Sequence, residues 1–294
     1  MLPTARRRYT VPLPGGRSLV LGTRTRVMGV LNVTPDSFSD GGRHADPPHA
    51  VDAALAMIAA GADLIDVGGE STRPGATPVD ADDEIRRAVP VIAALTRQTD
   101  VPISVDTTKP AVARAALDAG AALVNDISGL RHDPSLAQVA AGHGAALVLM
   151  HMRGTPADMY DRADYADVCA EVADELAWSV ARALDAGVGR ASLILDPGIG
   201  FAKRAAHSWT LLRQLGHPAL VALDLPWLVG VSRKSFLQTA VGNLSPPARD
   251  PASLAAAVVA ILGGAHLIRV HDVAGSVQAS RVADMISAAD TDVS

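Results

Sequence analysis

Short apolar runs alternate with longer alanine-rich segments along the chain, and the alternation is regular from Arg26 onward. The apolar runs have the length and continuity of strands buried on both faces, whereas the alanine-rich segments have the spacing of helices. Several of these helical segments end at glycine, the usual left-handed cap. The predicted strands cover residues 26–31, 63–67, 101–105, 122–124, 145–150, 192–195, 226–229 and 266–270. The predicted helices cover residues 48–60, 82–95, 111–119, 134–141, 164–186, 207–215, 251–262 and 273–288.

Eight successive strand–helix units are typical of a (β/α)8 TIM barrel, an α/β fold. A doubly wound sheet is the structural alternative, but the glycine-rich loop expected after its first strand is replaced here by Asn32-Val33-Thr34-Pro35. Upstream, residues 9–13 and 18–21 flank Gly15-Gly16 and predict a β-hairpin. The predicted organisation is an extension with the hairpin (1–24), a single barrel (25–290) and a tail (291–294).

Composition narrows the class of protein further. Hydrophobic residues make up 49% of the chain, enough for a large core, and the net charge is -5 without a long basic run. We therefore expect neither nucleic-acid binding nor a membrane partner. The single cysteine, Cys169, excludes an intramolecular disulfide framework and a zinc site with several Cys ligands. The residues that follow Arg6-Arg7-Arg8 include prolines and glycines rather than an apolar signal core, so we expect a cytoplasmic protein.

The candidate chemistry lies after the predicted strands, where barrel enzymes carry their active sites. Asp106, Asn125 and Asp196 each end an apolar run, so we expect them in the barrel mouth with little solvent. Buried carboxylates need donors, and a ligand with an aminopyrimidinone-type edge would supply two parallel N–H groups. Lys234 could donate to a ring carbonyl or nitrogen. The alternative is a structural salt bridge, such as Asp196 with Lys234.

A second group of residues is cationic and rich in hydrogen-bond donors. Its members are Asn32, Thr72, Arg73, Arg269 and His271. Such a group suits a phosphate or diphosphate, and the spacing of Arg269 and His271 places both on one strand face. Asn32 could offer a neutral oxygen to Mg²⁺ that diphosphate oxygens already hold. The alternative for Arg269 and His271 is an ion pair with Asp272 or a neighbouring helix.

Aromatic and isolated polar residues complete the set. All three phenylalanines, Phe38, Phe201 and Phe236, fall in the loops after strands, which favours an aromatic ligand. We interpret Cys169 as a packed thiol. His151 is interpreted as a satisfied histidine of the mouth, and Glu70 as a residue that orients its own loop.

The loops resemble the signatures of the dihydropteroate synthase family. Residues 28–42 (MGVLNVTPDSFSDGG) resemble its first signature, and residues 66–75 (DVGGESTRPG) resemble its second. Shorter blocks match in the same order: 104–107 (SVDT), 124–126 (VND), 196–203 (DPGIGFAK), 232–234 (SRK) and 269–272 (RVHD). The resemblance runs from about residue 27 to the end of the last predicted helix.

The resemblance implies a barrel enzyme of folate synthesis that joins 4-aminobenzoate to the methylene carbon of 7,8-dihydropterin pyrophosphate and releases pyrophosphate. It implies that the pterin is held by Asp106, Asn125, Asp196 and Lys234. Phe201 is a further expected substrate-binding residue. It implies that the diphosphate is held by Asn32, Thr72, Arg269 and His271, with Mg²⁺ at Asn32. It implies that the 4-aminobenzoate pocket is lined by Phe38, Arg73, Pro74 and Ser232. Asp106, Lys234, Arg269 and His271 are the expected catalytic residues.

The resemblance also implies a homodimer and a target of sulfonamides. Two other functions remain open from the sequence. A barrel that transfers the methyl group of methyltetrahydrofolate would share the pterin carboxylates but needs no diphosphate site, so the Arg269 and His271 pair argues against it. A non-catalytic pterin-binding paralogue would be expected to lack residues of the mouth, and this chain keeps them.

Overall fold

The computed structural model describes residues 6–34, 47–71 and 78–288. The strands are β1 (Tyr9–Pro12), β2 (Ser18–Leu21), β3 (Arg26–Asn32), β4 (Leu64–Gly68), β5 (Ile103–Asp106), β6 (Leu123–Asp126), β7 (Ala146–Met150), β8 (Leu193–Asp196), β9 (Leu228–Val229) and β10 (Leu267–Val270). The helices are α1 (Pro47–Ala59), α2 (Ala81–Leu95), α3 (Pro110–Asp118), α4 (Ser135–Gly142), α5 (Val168–Asp185), α6 (Ala205–Arg213), α7 (Pro218–Val221), α8 (Gln238–Val241), α9 (Asp250–Leu262) and α10 (Val273–Ala288).

Strands β3 to β10 form one parallel sheet that closes into a barrel. Hydrogen-bonded neighbours run in the order β8-β7-β6-β5-β4-β3-β10-β9. A parallel bridge between Leu195 and Trp227 joins the two ends of this order, and the Leu195 N–H donates to the Pro226 carbonyl at 2.9 Å. The predicted (β/α)8 fold is therefore confirmed, and a doubly wound open sheet is excluded.

Local sequence signals explain where the helices begin and end. Asp80 caps α2, because its side chain accepts a hydrogen bond from the Asp83 N–H at 2.7 Å. Helix α3 begins with Pro110, whose missing N–H costs nothing at a first helical position. Past the end of α3, Gly120 has φ +102°, and a Cβ there would lie 3.1 Å from the Thr96 side chain. Glycine thus permits both the turn and the close packing.

The amino-terminal hairpin closes the end of the barrel opposite the active-site loops. Strands β1 and β2 pair in antiparallel register, as predicted. Their buried side chains pack against residues near the beginnings of the barrel strands; this cluster includes Val11, Leu19, Leu21, Met28, Leu64, Leu123 and Leu267. The mouth at the carboxyl ends of the strands is left to the longer loops.

Two features of the helices differ from the prediction. Helix α5 begins at Val168 rather than at residue 164, because the Asp167 side chain accepts hydrogen bonds from the N–H groups of Cys169 and Ala170. The four-residue helices α7 and α8 are too short to leave a periodic signal in the sequence. Within the described ranges, no helix has both the length and the apolar character that crossing a membrane requires.

Candidate active site

A cavity of about 580 Å³ opens at the carboxyl ends of the barrel strands. Six of the residues predicted from the sequence line it together: Asn32, Phe201, Ser232, Lys234, Arg269 and His271. They come from β3, from the loops after β8 and β9, and from the end of β10. The predicted convergence of these separate segments is therefore present.

Strand register places the polar residues of neighbouring strands side by side. Asn32 is opposite Gly68, Gly68 is opposite Asp106, and Asp106 is opposite Asn125. A Cβ at Gly68 would lie 3.5 Å from the Asp106 Cβ and 3.8 Å from the Asn32 Oδ1. With glycine at this position, no side chain lies between the amide of Asn32 and the carboxylate of Asp106. Phe38, Thr72, Arg73 and Pro74, which were predicted to act beside these residues, lie outside the described residues.

A buried acidic cluster forms the floor of the site. Asp106 and Asn125 are buried, and the Asn125 Nδ2 donates to Asp66 Oδ2 at 2.9 Å. Oδ1 of Asp106 and Oδ1 of Asp66 have no hydrogen-bond partner among the described residues. Burial raises the pKa of Asp106, and the charge of Arg269 opposes that shift. The cluster thus offers acceptors that a ligand's N–H groups would satisfy.

Asp66 belongs to this cluster, although it was not among the site residues predicted from the sequence. Its exposed fraction is 0%, and it lies in β4 between Ile65 and Val67. Those two neighbours belong to the outer core, whereas Leu64, two residues before Asp66, packs inside the barrel. The signal in the sequence is a carboxylate at an inward position of an otherwise apolar strand.

Arg269 is paired inside the barrel rather than with the partners considered as alternatives. Its Nε donates to Asp66 Oδ2 at 2.6 Å, and its Nη2 donates to Asp106 Oδ2 at 2.7 Å. The alternative considered from the sequence, an ion pair of Arg269 with Asp272 or a neighbouring helix, is therefore wrong, because Arg269 pairs with Asp66 and Asp106 instead. These two bonds use two of the five N–H donors of the guanidinium. Arg269 consequently touches the acidic floor and also lines the cavity.

Asp196, at the end of β8, and Lys234, in the loop after β9, lie on the other side of the barrel mouth. Lys234 lines the cavity, and a Cβ at the lining residue Gly230 would lie 4.0 Å from Asp196 Oδ2. Asp196 Oδ1 accepts the Gly198 N–H at 2.7 Å, and Lys234 Nζ donates to the Ile199 carbonyl at 2.5 Å. No ion pair within 4.0 Å joins Asp196 to Lys234 in the described part of the chain, so the structural salt bridge is not formed. Burial lowers the pKa of Lys234 to about 8, and the charge of Asp196 opposes this shift. The Lys234 Nζ lies 4.5 Å from the centroid of the Phe201 ring.

Ser232 and Lys234 project from a turn whose middle residue has a strained backbone. Arg233 has φ +59°, which is uncommon for a residue other than glycine. Its side chain forms two 2.7 Å hydrogen bonds with Asp250, and its N–H donates to Ser253 Oγ at 2.8 Å. These contacts hold the turn, while Ser232 Oγ lies 3.0 Å from His271 Nδ1.

Glu70 has the partners expected of a residue that orients its own loop. Its Oε1 accepts the Val79 N–H at 2.9 Å, and its Oε2 accepts a hydrogen bond from Lys109 Nζ at 2.5 Å. Lys109 also donates to the buried Glu84 at 2.6 Å. This network is held within the protein and requires no substrate contact.

The residues present fit a magnesium ion that is held chiefly by a ligand. No group of three or more His, Cys, Asp or Glu suited to a metal ion occurs in the described ranges. Asn32 supplies one neutral oxygen at the cavity, and its neighbour Gly68 carries no side chain. Mg²⁺ commonly keeps few protein ligands when phosphate oxygens complete its octahedron. A ligand with a diphosphate would meet that requirement.

A larger cavity of about 680 Å³ lies away from this site, and it is the weaker candidate for an active site. It is lined by four arginines, Arg131, Arg153, Arg162 and Arg182, together with Trp178. Carboxylates of Glu171, Glu175 and Asp158 already neutralise three of these arginines, and Arg182 lies over the Trp178 ring. The barrel mouth, with its unpartnered acceptors, therefore remains the candidate active site.

Fold and site together define a (β/α)8 enzyme whose mouth binds a small ligand that combines N–H groups with an anionic group. A sequence profile of the family described as Pterin binding enzyme matches residues 28–271. The dihydropteroate synthase of Synechocystis sp. is 48% identical over 279 residues, which cover 95% of this chain and 96% of that protein.

Two solved structures agree with this assignment. Xanthomonas albilineans dihydropteroate synthase with 4-aminobenzoic acid has a TM-score of 0.85 at 44% identity, covering 97% of this chain and 100% of that chain. Yersinia pestis dihydropteroate synthase in a sulfonamide drug complex has a TM-score of 0.87 at 43% identity, covering 95% and 98%. The chain belongs to the dihydropteroate synthase family of pterin-binding enzymes.

Proposed function

We propose that this protein joins 4-aminobenzoate to 6-hydroxymethyl-7,8-dihydropterin diphosphate, giving 7,8-dihydropteroate and pyrophosphate. Family membership and the names of the relatives support this activity. The observation that carries it is the arrangement at the barrel mouth. Asn32, Arg269 and His271 line the cavity and suit a diphosphate. The buried acceptors proposed for a pterin lie next to that lining, since Arg269 donates to Asp106 and a Cβ at Gly230 would lie 4.0 Å from Asp196 Oδ2. An enzyme that transfers the methyl group of methyltetrahydrofolate needs no diphosphate site, so Asn32, Arg269 and His271 would have no ligand in such an enzyme.

The pterin ring is proposed to bind the buried polar wall. Asp196 would accept the parallel N–H groups of the aminopyrimidinone edge, since a carboxylate forms strong paired hydrogen bonds. Asn125 and the unpartnered Oδ1 of Asp106 offer further contacts to the ring. Leaving that oxygen without a donor costs about 1–3 kcal/mol, which a bound pterin would remove. Phe201, below Lys234, offers a face for the ring to stack on.

Departure of the diphosphate is proposed as the first chemical event. The methylene C–O bond breaks and its electron pair leaves with the diphosphate, whose charge Arg269 and His271 stabilise. Mg²⁺ at Asn32, when bound, would supply further charge neutralisation of the leaving group. The pterin ring delocalises the positive charge on the methylene carbon, and the Asp106 carboxylate favours that charge.

Attack by the aryl amine is proposed to complete the reaction. The amine of 4-aminobenzoate is neutral near pH 7, so it needs positioning more than a strong base. Its nitrogen forms the new bond to the methylene carbon and then loses a proton to solvent. Ser232, at the cavity wall, is the described residue proposed to contact this substrate, together with Phe38, Arg73 and Pro74.

The homodimer expected from the resemblance is proposed to form through α9 and α10. Helix α10 exposes three apolar side chains at helical spacing, Val282 (61%), Met285 (73%) and Ile286 (48%), and the adjacent α9 exposes Val259. An apolar patch of this kind favours association. Light scattering of the wild type and of Met285→Glu tests this interface; a dimer in both would contradict it. The cytoplasmic location stays a prediction.

The activity is tested by pyrophosphate release from the dihydropterin diphosphate, with and without 4-aminobenzoate. We expect release that depends on both 4-aminobenzoate and Mg²⁺. A non-catalytic paralogue would bind the pterin and release nothing. Activity with methyltetrahydrofolate and a corrinoid acceptor, without release of pyrophosphate, would instead favour the methyl-transfer barrel.

A further inference from the structure

The turn that carries Ser232 and Lys234 is bound by side chains at the beginning of α9. Its middle residue, Arg233, has φ +59°, and such strain persists only where surrounding contacts over-determine the backbone. The Arg233 N–H donates to Ser253 Oγ at 2.8 Å, and the Arg233 carbonyl accepts a hydrogen bond from Arg249 Nη1 at 2.9 Å. Both backbone polar groups of the strained residue are therefore held by one neighbouring segment.

Arg249 is a buried arginine that the proposed chemistry does not use. Its exposed fraction is 8%, and it lies immediately before α9. Within the described ranges, no carboxylate lies within 4.0 Å of its guanidinium, although arginine is rarely buried unless it is paired. Its Nε donates instead to the Leu244 carbonyl at 2.9 Å, in the loop between α8 and α9. The buried charge is thus directed to two backbone carbonyls, one in that loop and one in the turn.

The two residues that flank Arg233 contact different parts of the site. Ser232 Oγ accepts the His271 N–H at 3.2 Å, whereas Lys234 Nζ donates to the Ile199 carbonyl at 2.5 Å. Ser232 and Lys234 both line the mouth cavity. A change in the backbone of Arg233 would therefore displace two site residues at once.

We propose that Arg249 is a positioning residue of the active site: its guanidinium holds the strained turn so that Ser232 and Lys234 reach their two substrates together. This inference rests on the proposed function, because it takes Ser232 as a contact of 4-aminobenzoate and Lys234 as a contact of the pterin. Arg249 is not proposed to touch either substrate. Arginine suits this role because its donors form a rigid planar fork that can bind two carbonyls in one fixed geometry.

The variant Arg249→Ala tests the role of the guanidinium. We expect the affinity for 6-hydroxymethylpterin, measured by calorimetry, to fall at least about tenfold, as for the loss of a hydrogen bond from a charged group. The KM for 4-aminobenzoate should rise by a similar factor, because the turn carries a contact to each substrate. An effect confined to one substrate would indicate direct contact of Arg249 with that substrate. That result, or no effect on either, would overturn the inference.

Rescue by free guanidinium separates positioning from a general loss of stability. Arg249 lines the mouth cavity, so its truncation leaves a space that a small cation can enter. A low, non-denaturing concentration of guanidinium chloride should restore part of the pterin affinity of Arg249→Ala, because the ion can donate to the same carbonyls. Sodium chloride at the same concentration should not. Equal effects of the two salts would contradict the role assigned to the guanidinium group.

A second variant removes the other contact to the turn. Ser253→Ala loses the hydroxyl that accepts the Arg233 N–H, with little change in volume. It should weaken both substrates in the same pattern and by a smaller factor, since no charged group is lost. This variant also carries the test if Arg249→Ala does not fold, and unchanged binding of both substrates would then overturn the inference.

The matched control is Arg6→Ala, at the opposite end of the barrel. The side chain of Arg6 is 7% exposed, and its Nη1 donates to Thr25 Oγ1 at 2.6 Å and to the Ala265 carbonyl at 3.4 Å. Its loss should lower the melting temperature and leave both substrates unaffected. A loss of pterin affinity equal to that of Arg249→Ala would mean that reduced stability explains both variants, which would overturn the inference.

Pyrophosphate release by the wild type is measured separately from these comparisons. If the wild type releases none, the proposed function fails. The pterin affinity of Arg249→Ala, with and without guanidinium, then still decides whether Arg249 positions Lys234.

Discussion

Replacing Asp196 by asparagine tests the assignment of the pterin wall at one of its buried carboxylates. The substitution conserves shape, removes the charge and turns one acceptor oxygen into an N–H donor. Asp196 is buried and its Oδ1 is already occupied by the Gly198 N–H. The asparagine oxygen is expected to keep this backbone bond. Its NH₂ group would then face the N–H groups of the ligand.

The expected cost follows from the hydrogen bonds at stake. A hydrogen bond to a charged group contributes about 1.5–3 kcal/mol, and truncating one partner of a buried charged pair costs 2–5 kcal/mol or more. We therefore expect about 2–4 kcal/mol of lost pterin affinity for Asp196→Asn, which is about 30-fold to 1,000-fold in Kd.

The stability of Asp196→Asn should rise or stay unchanged, in contrast to its pterin affinity, which should fall. Burial raises the pKa of Asp196, so its carboxyl group binds a proton more readily in the folded protein than in the unfolded chain. Its contribution to stability therefore grows as pH falls, and the ionised form costs stability near neutral pH. Asparagine removes that cost, and we expect a melting temperature at pH 7 that is equal to or above that of the wild type.

Calorimetry with 6-hydroxymethylpterin and thermal melting at pH 7 measure both effects. Asp174→Asn is the matched control, since Asp174 is exposed on α5 and should leave affinity and melting unchanged. Unchanged pterin affinity in Asp196→Asn would show that Asp196 does not bind the pterin. A large drop in melting temperature would show that the carboxylate stabilises the fold rather than the ligand.

Three further predictions concern the anion site, the aryl pocket and the hairpin. Arg269→Met should weaken pyrophosphate binding at least about tenfold by calorimetry, because it removes a partly buried cation that lines the cavity. Unchanged binding would contradict the anion site. 4-Aminobenzoate should bind well only in the presence of pterin, pyrophosphate and Mg²⁺, and equal affinity for the free enzyme would mean that the pocket is preformed. Phe38→Ala should weaken the binding of 4-aminobenzoate more than the binding of the pterin. Leu21→Ala, in the fully buried hairpin cluster, should lower the free energy of unfolding by about 2–5 kcal/mol in a urea titration, and a change below 1 kcal/mol would contradict the role of the hairpin as a packed closure of the barrel.

The barrel was predictable because its signal is local and repeated eight times. Each strand is a short apolar run, and most of the helices end at a glycine or a cap that can be read from neighbouring residues. The beginning of α5 was missed because it depends on the Asp167 side chain binding two N–H groups rather than on apolar spacing. Helices α7 and α8 are each about one turn long, so tertiary contacts rather than periodicity define them.

The positions of site residues could be predicted where polar residues end strands. Asp66, which lies deeper in the barrel, was missed. Asn32, Asp106, Asn125 and Asp196 follow apolar runs, and closure of the barrel brings them to one mouth. The bonds of Arg269 to Asp66 and Asp106 depend on strands that are distant in sequence, so no spacing rule could reveal them.

Formation of dihydropteroate together with pyrophosphate is the direct test of the proposed activity. Enzyme, dihydropterin diphosphate, 4-aminobenzoate and Mg²⁺ are incubated together, and both products are quantified, dihydropteroate by mass spectrometry. We expect one dihydropteroate for each pyrophosphate released, and neither product when 4-aminobenzoate is left out. Pyrophosphate without dihydropteroate, or a protein that binds pterin and forms neither product, would contradict the proposed activity.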